Sequence, residues 1–500
     1  MKHLTIILFL FLSFSNIIFA QEKNKKEIVY EYPEPSVTKH QITINGEKIS
    51  YTATTGHMKM LNDKGEHHAN VFYIAYTKDN VTKNEKRPVT FSFNGGPGSS
   101  SVWLHMGALG PKKIVMTDEG LSTPPPYQIE DNAYSWLDKT DLIFIDPIET
   151  GYSRPAEGVD KKEFTGYTED IKSVGDFIHK YITKNGRWNS PKFLAGESYG
   201  TTRAAGLSGY LQDRHGMYLN GIVLISAVMN FQTLYLTDGN DLPYSLFLPS
   251  FAATAYFHGK VDKNKHPNFD DFLKAVEKFA LEEYTVFLMK GDNTSKAEKE
   301  KIAAKMSEYL GLSKDFISVN HFRISTGKFA KELLREESRT VGRFDGTIKG
   351  IDKSDAENYY DYDPSYNLSI YGPYTMAINH HFKNVLKFEN SDMVYEILTS
   401  KVRPWNYGNA ENRFLNNAEV LRASMHKNPH LKVLVCNGYY DLATPYFATE
   451  YTINHMFLNK TLKPNITMKY YHAGHMMYTI KSEMEKFTND VKSYYDSFKF

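Results

Sequence analysis

The chain is 500 residues long, 41% apolar and 14% aromatic, so it can bury a large core; its 32 Gly and 20 Pro follow no repeat, which excludes disordered and collagen-like classes. Its 59 Lys and Arg against 58 Asp and Glu leave a net charge of +1, which argues against nucleic acid as the main partner. Cys436 is the only cysteine, so no intramolecular disulfide, CxxC pair or Cys-based zinc site can form.

Lys2 and His3 precede an apolar run over residues 4–14, then a polar break at Ser15 and Asn16, then Ile18-Phe19-Ala20 and a charged stretch. This is the order of a secretory signal peptide, and it predicts a leader over 1–20 and an exported mature protein, periplasmic or extracellular. The run falls short of the roughly 20 apolar residues that span a bilayer, so stable membrane insertion is not expected; an uncleaved anchor is the competing reading. Residues 21–45, broken by Pro33 and Pro35, read as a loose lead-in.

Alternating segments at 41–44 and 70–76 predict antiparallel strands. Short apolar runs follow at 89–93, 142–145, 193–195, 222–225, 433–436 and 466–471. Runs of this kind suit strands covered on both faces, with helices between them; residues 168–182 fit one such helix. The expected architecture is α/β, a central, mostly parallel sheet built from 21–229 and 421–500. Residues 230–420 read as a largely helical insertion capping it. Within the insertion, Phe269, Phe272, Leu273, Val276, Phe279, Ala280, Phe287 and Leu288 fall mostly at helical spacing. A helix is predicted to start at Ser295, with Glu298 closing a capping box, and to end near Gly311, with Ile302, Met306 and Leu310 inward.

Gly196-Glu197-Ser198-Tyr199-Gly200 matches G-x-S-x-G between a short strand and a small-residue run that can open a helix. That is the setting of a nucleophile elbow, although the pattern alone is weak. A serine hydroxyl needs a base, and the α/β-hydrolase order is Ser, then Asp or Glu, then His, each beyond a strand. Asp441 follows the run 433–436, and His475 follows 466–471. Taken singly, Asp441 could be a turn residue and His475 a packed histidine, with His472 a local rival. Together with Ser198, in this order, they form a candidate catalytic set.

Asn94-Gly95-Gly96-Pro97-Gly98-Ser99-Ser100-Ser101 follows the run 89–93. A Gly-rich loop there lets backbone N–H groups face a developing oxyanion. The two donors would be the amides of Gly96 and Tyr199. The loop lacks both G-x-x-x-x-G-K-[ST] and G-x-G-x-x-G, which counts against phosphate binding. The pairs His67-His68 and His380-His381 point apart on a strand or helix, and no H-E-x-x-H occurs, so packing or surface roles are expected for them. Neither a metal nor a cofactor is expected.

Five stretches carry a resemblance to a known family. Asn94 to Ser100 matches N-G-G-P-G-x-S, and Asp146-Pro147-Ile148-Glu149-Thr150-Gly151-Tyr152-Ser153 is similar to D-x-P-x-G-x-G-[FY]-S. Gly196-Glu197-Ser198-Tyr199 matches G-E-S-Y, and Asn437-Gly438 to Asp441 with Ala473-Gly474-His475-Met476 matches the segments holding the acid and the base. On these motifs the chain resembles the serine carboxypeptidases of the carboxypeptidase Y type, and looks closest to their bacterial, disulfide-free branch. The resemblance implies an α/β-hydrolase fold and removal of single residues from peptide C-termini through an acyl-enzyme, often best at acidic pH. It implies Ser198 as nucleophile, His475 as general base and then acid, Asp441 as the orienter of His475, and Gly96 and Tyr199 as the oxyanion hole. It also implies that Asn94 and a protonated Glu197 hold the substrate's terminal carboxylate. Peptides are the implied partners; a monomer or homodimer is expected, and no sequence feature demands the dimer.

The chain departs from the family pattern at three places. Ala108, before Leu109-Gly110-Pro111, stands where many members have a second Glu. Ser92 stands where they have a Trp two residues before the Asn, and Tyr439 replaces the first Asp of G-D-x-D. Half of the carboxylate site is therefore missing or built differently. An esterase, amidase or acyltransferase using the same triad is the alternative, and a non-catalytic protein that kept the fold is a third reading.

Overall fold

The computed structural model describes residues 32–410 and 412–500, and the expected leader over 1–20 lies outside them. Among the described residues, no helix is long and apolar enough to cross a membrane.

The main sheet has ten strands among the described residues. Nine are β1 (Ser36–Ile44), β2 (Glu47–Leu61), β3 (His67–Lys78), β4 (Val89–Phe93), β5 (Asp141–Ile145), β6 (Lys192–Glu197), β7 (Gly221–Ile225), β8 (Lys432–Gly438) and β9 (Ile466–Tyr471). The tenth, Arg154–Pro155, pairs with β3. The spatial order is β1-β2-β3-β5-β4-β6-β7-β8-β9. The first three strands form an antiparallel meander, and β3 pairs antiparallel with β5. From β5 onward all pairs are parallel. The apolar runs read from the sequence are these parallel strands, and 89–93 and 466–471 keep their bounds.

Both faces of β4 to β8 are covered, which is why their sequences lack polar alternation, whereas β9 is the sheet edge and only Tyr471 of it is buried. Eight of the helices are α1 (Tyr167–Lys184), α2 (Tyr199–His215), α3 (Leu242–Phe257), α4 (Phe269–Phe279), α5 (Lys296–Leu310), α6 (Ala418–Lys427), α7 (Tyr446–Asn454) and α8 (Lys481–Asp496). Phe91, Leu194, Ile222 and Val433 share a core with Phe177 and Ile178 of α1, Leu207 and Leu211 of α2, and Leu421 and Met425 of α6. Residues one step along the strands turn to the other face. There Phe193 packs on Tyr495 of α8, with ring centroids 4.6 Å apart, and the Tyr495 hydroxyl meets Thr90 Oγ1 at 2.6 Å.

The chain between β7 and α6 builds a second apolar core. Phe251 of α3, Phe272 and Phe279 of α4, and Met306 and Leu310 of α5 meet there, and the core continues onto Tyr446 and Phe447 of α7. The insertion thus rests on the helix that joins β8 to β9. α5 has the ends read from its sequence. Ser295 Oγ accepts from the Glu298 N–H at 3.2 Å, Glu298 Oε2 accepts from the Ser295 N–H at 2.8 Å, and Gly311 closes the helix at φ 66°. Apart from the ten-residue helix Tyr371–His380, residues 333–417 are mostly loops and short turns of helix, and they carry chain back over the carboxyl ends of the strands.

The paired histidines take packing and surface roles. His381 is buried and, with His105, flanks the Tyr76 hydroxyl at 2.8 and 2.7 Å. Burial pushes His105 down to about 3 and lowers His381 as well, so both stay neutral. His67 lies 3.1 Å from Asn70 Oδ1, and His68 lies 2.9 Å from Glu163.

Candidate active site

After β4 the chain crosses to one side to form β5, then returns to the other side to form β6, so the order of the parallel sheet reverses between β4 and β6. Such a reversal leaves a crevice at the carboxyl ends of the strands. Phe93 lies opposite Gly196 in the sheet, so the chain ends that leave β4 and β6 meet there. They are Asn94-Gly95-Gly96 and Ser198.

Ser198 is the turn between β6 and α2, at φ 58° and ψ −129°, a region L-residues avoid. Its N–H donates to Ile225 O at 3.0 Å, and its carbonyl accepts from Thr201 N at 2.8 Å and Thr201 Oγ1 at 2.7 Å. The strained backbone is therefore held from the neighbouring strand and from the helix it starts. Among the described residues the hydroxyl has no hydrogen-bond partner, and it opens on a cavity of about 520 Å³ that His475 also lines.

The Tyr199 amide is the first of α2 and has no intrahelical acceptor. Gly95 crosses directly in front of it: a Cβ there would lie 2.4 Å from Tyr199 N and 2.8 Å from Gly200 N. Gly96 lines the cavity at φ 104°, which no side chain tolerates well. The two amides proposed as oxyanion donors therefore come from chain segments packed at backbone contact.

Asp441 and His475 are brought together by the loops after β8 and β9. Asp441 Oδ2 meets His475 Nδ1 at 2.8 Å, and both side chains are buried. Asp441 Oδ1 accepts from Ala443 N at 2.8 Å and Thr444 N at 2.9 Å, while Thr444 Oγ1 donates to Oδ2 at 2.7 Å. Burial opposes a charge on His475, but the Asp441 carboxylate, its hydrogen bond and Glu197 together outweigh it and raise the imidazole above its ordinary value. His472, the local rival, is exposed, with Nδ1 3.3 Å from the Tyr440 hydroxyl. Tyr439, in place of an acid, packs on Phe269 of the insertion and on Tyr446.

Glu197 is buried beside the serine. Asn94 Nδ2 donates to Glu197 Oε2, and the Tyr478 hydroxyl lies 3.0 Å from Oε1 and 2.9 Å from Oε2. Burial pushes this carboxyl up to about 7, against the lowering pull of His475, Tyr478 and Asn94. Asn94 is fixed in turn. Its side-chain carbonyl accepts from Leu104 N at 3.1 Å, and its backbone carbonyl accepts from Arg203 Nη1 at 2.6 Å. Ala108 is buried in the turn His105–Leu109. Against that turn stand two phenols: a Cβ on Gly107 would lie 2.4 Å from the Tyr374 hydroxyl and 2.6 Å from the Tyr478 ring. Where the resemblance leads one to expect a second carboxyl, Glu197 thus has a tyrosine hydroxyl as its partner.

Asp146, of the second family-like stretch, does not line the cavity. It accepts from Ser101 N at 2.9 Å and from the Tyr395 hydroxyl at 3.3 Å, and Ser153 Oγ donates to its carbonyl at 2.6 Å. This stretch braces the Gly-rich loop from behind.

Three supporting features escaped the sequence reading. Arg203 sits in the small-residue run of α2, fully buried, with Nε on Asp170 Oδ2 at 2.8 Å; a single charge in an apolar helix face was its only signal. Thr444 holds the Asp441 carboxylate. The insertion loop around residues 342–346 ties the Asp441 and His475 loops together: Phe344 O accepts from His475 N at 2.6 Å, Asp345 Oδ2 accepts from Gly474 N at 2.9 Å, and Arg343 O accepts from Leu442 N at 3.0 Å. No local pattern ties a loop this far upstream in the chain to the triad.

The sequence model of the serine carboxypeptidase family matches residues 44–495. Carboxypeptidase Y homolog A of Talaromyces stipitatus is 32% identical over 139 residues, 27% of this chain and 22% of that protein. Pheromone-processing carboxypeptidase KEX1 of Saccharomyces cerevisiae is 31% identical over 155 residues, 29% of this chain and 20% of that protein. The chain thus spans roughly a fifth of the length of these curated relatives. Among solved structures, a KEX1 form from Saccharomyces cerevisiae, described as a prohormone-processing carboxypeptidase, superposes with a TM-score of 0.53 over 88% of this chain and 92% of that one. At 18% identity that likeness shows a shared fold. Membership rests on the family match, which runs from the end of β1 to the last turn of α8: the chain belongs to the serine carboxypeptidase family.

Proposed function

We propose that the protein is an exported serine carboxypeptidase that removes C-terminal residues from peptides through an acyl-enzyme on Ser198. Ser198 Oγ attacks the scissile carbonyl while His475 Nε2 takes its proton. Asp441 holds Nδ1–H and stabilises the imidazolium, and the Gly96 and Tyr199 amides receive the oxyanion. His475 then protonates the leaving amine, and water repeats the cycle to free the acid. Export rests on the leader-like residues 1–20.

The observation that carries the exopeptidase reading is the buried Glu197 carboxyl, one residue from the nucleophile and lining the same cavity, hydrogen-bonded to Asn94 and Tyr478. A carboxyl with its titration raised to about 7 is neutral in acid and donates to a substrate carboxylate; ionised, it repels one. Affinity for a free C-terminus should therefore persist below pH 7 and fall as pH rises through it. The expected result with N-blocked peptides at pH 4–8 is stepwise shortening of the free acid and much slower loss from the amide, read by mass. Cleavage of a simple ester with neither peptide shortened would instead favour the esterase or acyltransferase reading, which Ala108 supports.

Glu197→Gln separates the two pH effects. Glutamine donates at every pH, so the alkaline fall in kcat/KM for free-acid peptides should flatten, by about tenfold per pH unit above 7 relative to the parent. The acid limb, set by His475, should keep its place, because Glu197 is already neutral there and glutamine is neutral too. An unchanged alkaline limb would assign that limb to another group.

A further inference from the structure

The cavity that holds Ser198 and His475 also holds two guanidinium groups without an ion-pair partner among the described residues. Arg343 and Arg403 both line it. Among the described residues, neither side chain makes an ion pair or a hydrogen bond. Other buried or half-buried arginines behave differently. Arg87 and Arg187 share Asp141, Arg203 binds Asp170, and Arg323 binds Asp241. Arg154 is spent on the carbonyls of Gly151 and Ser153. Leaving a half-buried guanidinium unpaired costs solvation that a paired one recovers, so an unpaired Arg343 beside the reacting atoms marks a place for an incoming anion.

Arg343 is also rigidly placed. Its N–H donates to Asp363 Oδ1 at 3.0 Å, and its carbonyl takes the Leu442 N–H from the Asp441 loop. Its guanidinium lies 4.7 Å above the Phe344 ring, which stands 5.0 Å from the His475 ring. The nearby carboxylates are otherwise engaged: Asp345 with Gly474 N and Thr347, Asp363 with Arg343 N and Ser365, and Asp441 with His475. Glu197, the one carboxyl lining the cavity, is held by Asn94 and Tyr478. Arg403 is exposed at the rim, beside Thr399 and Ser400.

We propose that Arg343 and Arg403 select peptides carrying an acidic side chain, Asp or Glu, beside the scissile bond. A guanidinium offers a planar fork of donors that matches a carboxylate, and a charge-assisted hydrogen bond replaces the pairing that the fold withholds. The terminal carboxylate has its own place at Asn94 and Glu197, so the arginines are left for the side chain; in this respect the proposal rests on the carboxypeptidase reading. The expected preference for Glu over Gln at one position is about 10- to 100-fold.

The test uses the Ser198→Ala protein, so that binding is read without turnover. Calorimetric titration with N-acetyl tetrapeptides carrying Glu, Gln or Lys at the last or penultimate position should give the tightest binding for Glu and the weakest for Lys. In Arg343→Gln or Arg403→Gln added to that protein, the Glu/Gln ratio should fall toward one, while Arg343→Lys retains part of it. A ratio near one in the parent, a ratio kept in both single variants and the double, or no binding of the Glu peptides at millimolar concentration overturns the proposal. Arg403 is exposed, so its variant stays informative if Arg343→Gln destabilises the fold. Shortening of the same peptides by the unmutated protein tests the carboxypeptidase reading separately. Acid-selective binding without shortening would keep the arginine site and remove the exopeptidase, and shortening without acid preference would do the reverse.

Discussion

Ser198→Ala should lower kcat about 10⁶-fold on peptides and esters alike, because the nucleophile, base and orienting acid act as one unit and losing the nucleophile removes what all three supply. The residual rate comes from binding and the oxyanion donors, which the substitution leaves in place. A fluorophosphonate should label the parent and fail to label the variant. The Ser198 hydroxyl has no hydrogen-bond partner among the described residues, so its loss leaves no buried group unsatisfied and the melting temperature should hardly move. The backbone allows a second readout. At φ 58° and ψ −129°, serine and alanine are both strained and glycine is not. Ser198→Gly should be as inactive as Ser198→Ala yet melt higher, by up to about 1 kcal/mol of stability, once glycine's larger folding entropy is set against the relieved strain. Full activity in Ser198→Ala would remove Ser198 as nucleophile, and a Gly variant less stable than the Ala variant would remove the strain.

The features that were legible before the structure are those with a local cause. The buried strands announced themselves as apolar runs, because covering both faces removes alternation, and α5 announced both ends through Ser295, Glu298 and Gly311. That Ser198, Asp441 and His475 would meet at one edge of the sheet was readable because each follows such a run, and strand ends are where a parallel sheet delivers side chains to one edge. The supports were not readable. Arg203, Thr444 and Asp345 act through partners 33 or more residues away in two cases, and in the third through a threonine that any turn could carry. The cavity wall was also hidden. Arg343, Phe344 and Arg403 come from the irregular part of the insertion, where no period relates a residue to the sheet edge it reaches.

The insertion therefore does more than cover the site. His475 N and Gly474 N are both anchored on the segment that presents Arg343 to the cavity. His475 and Arg343 thus share one support, and Asp345, pushed up to about 6 by burial, is its central acceptor. A loop that fixed the base without facing substrate, or faced substrate without fixing the base, could drift independently of the triad. Here the placement of Arg343 and that of His475 are mechanically joined.

Asp441→Asn is the second large effect, and its cause can be read atom by atom. Asp441 Oδ1 accepts two backbone N–H groups, from Ala443 and Thr444, so an asparagine must leave its carbonyl oxygen there. Its amide nitrogen then takes the place of Oδ2, facing His475 Nδ1 and Thr444 Oγ1. Thr444 adapts, because its hydroxyl can turn its proton wholly to Ser226 O, 3.0 Å away, and accept from the new amide. His475 cannot adapt without changing tautomer. With a donor opposite Nδ1, the ring proton moves to Nε2, and the atom that should take the serine proton carries one already. Turnover near neutral pH should fall about 10⁴-fold while the fold and peptide binding persist. His475 should also titrate lower, since the Asp441 charge and hydrogen bond are what lift it against burial. The readouts are kcat for an ester and a peptide across pH, the imidazole titration by NMR, and a thermal melt. A loss confined to KM, or an imidazole titration that does not move, would mean that Asp441 shapes the loop after β8 without orienting the base.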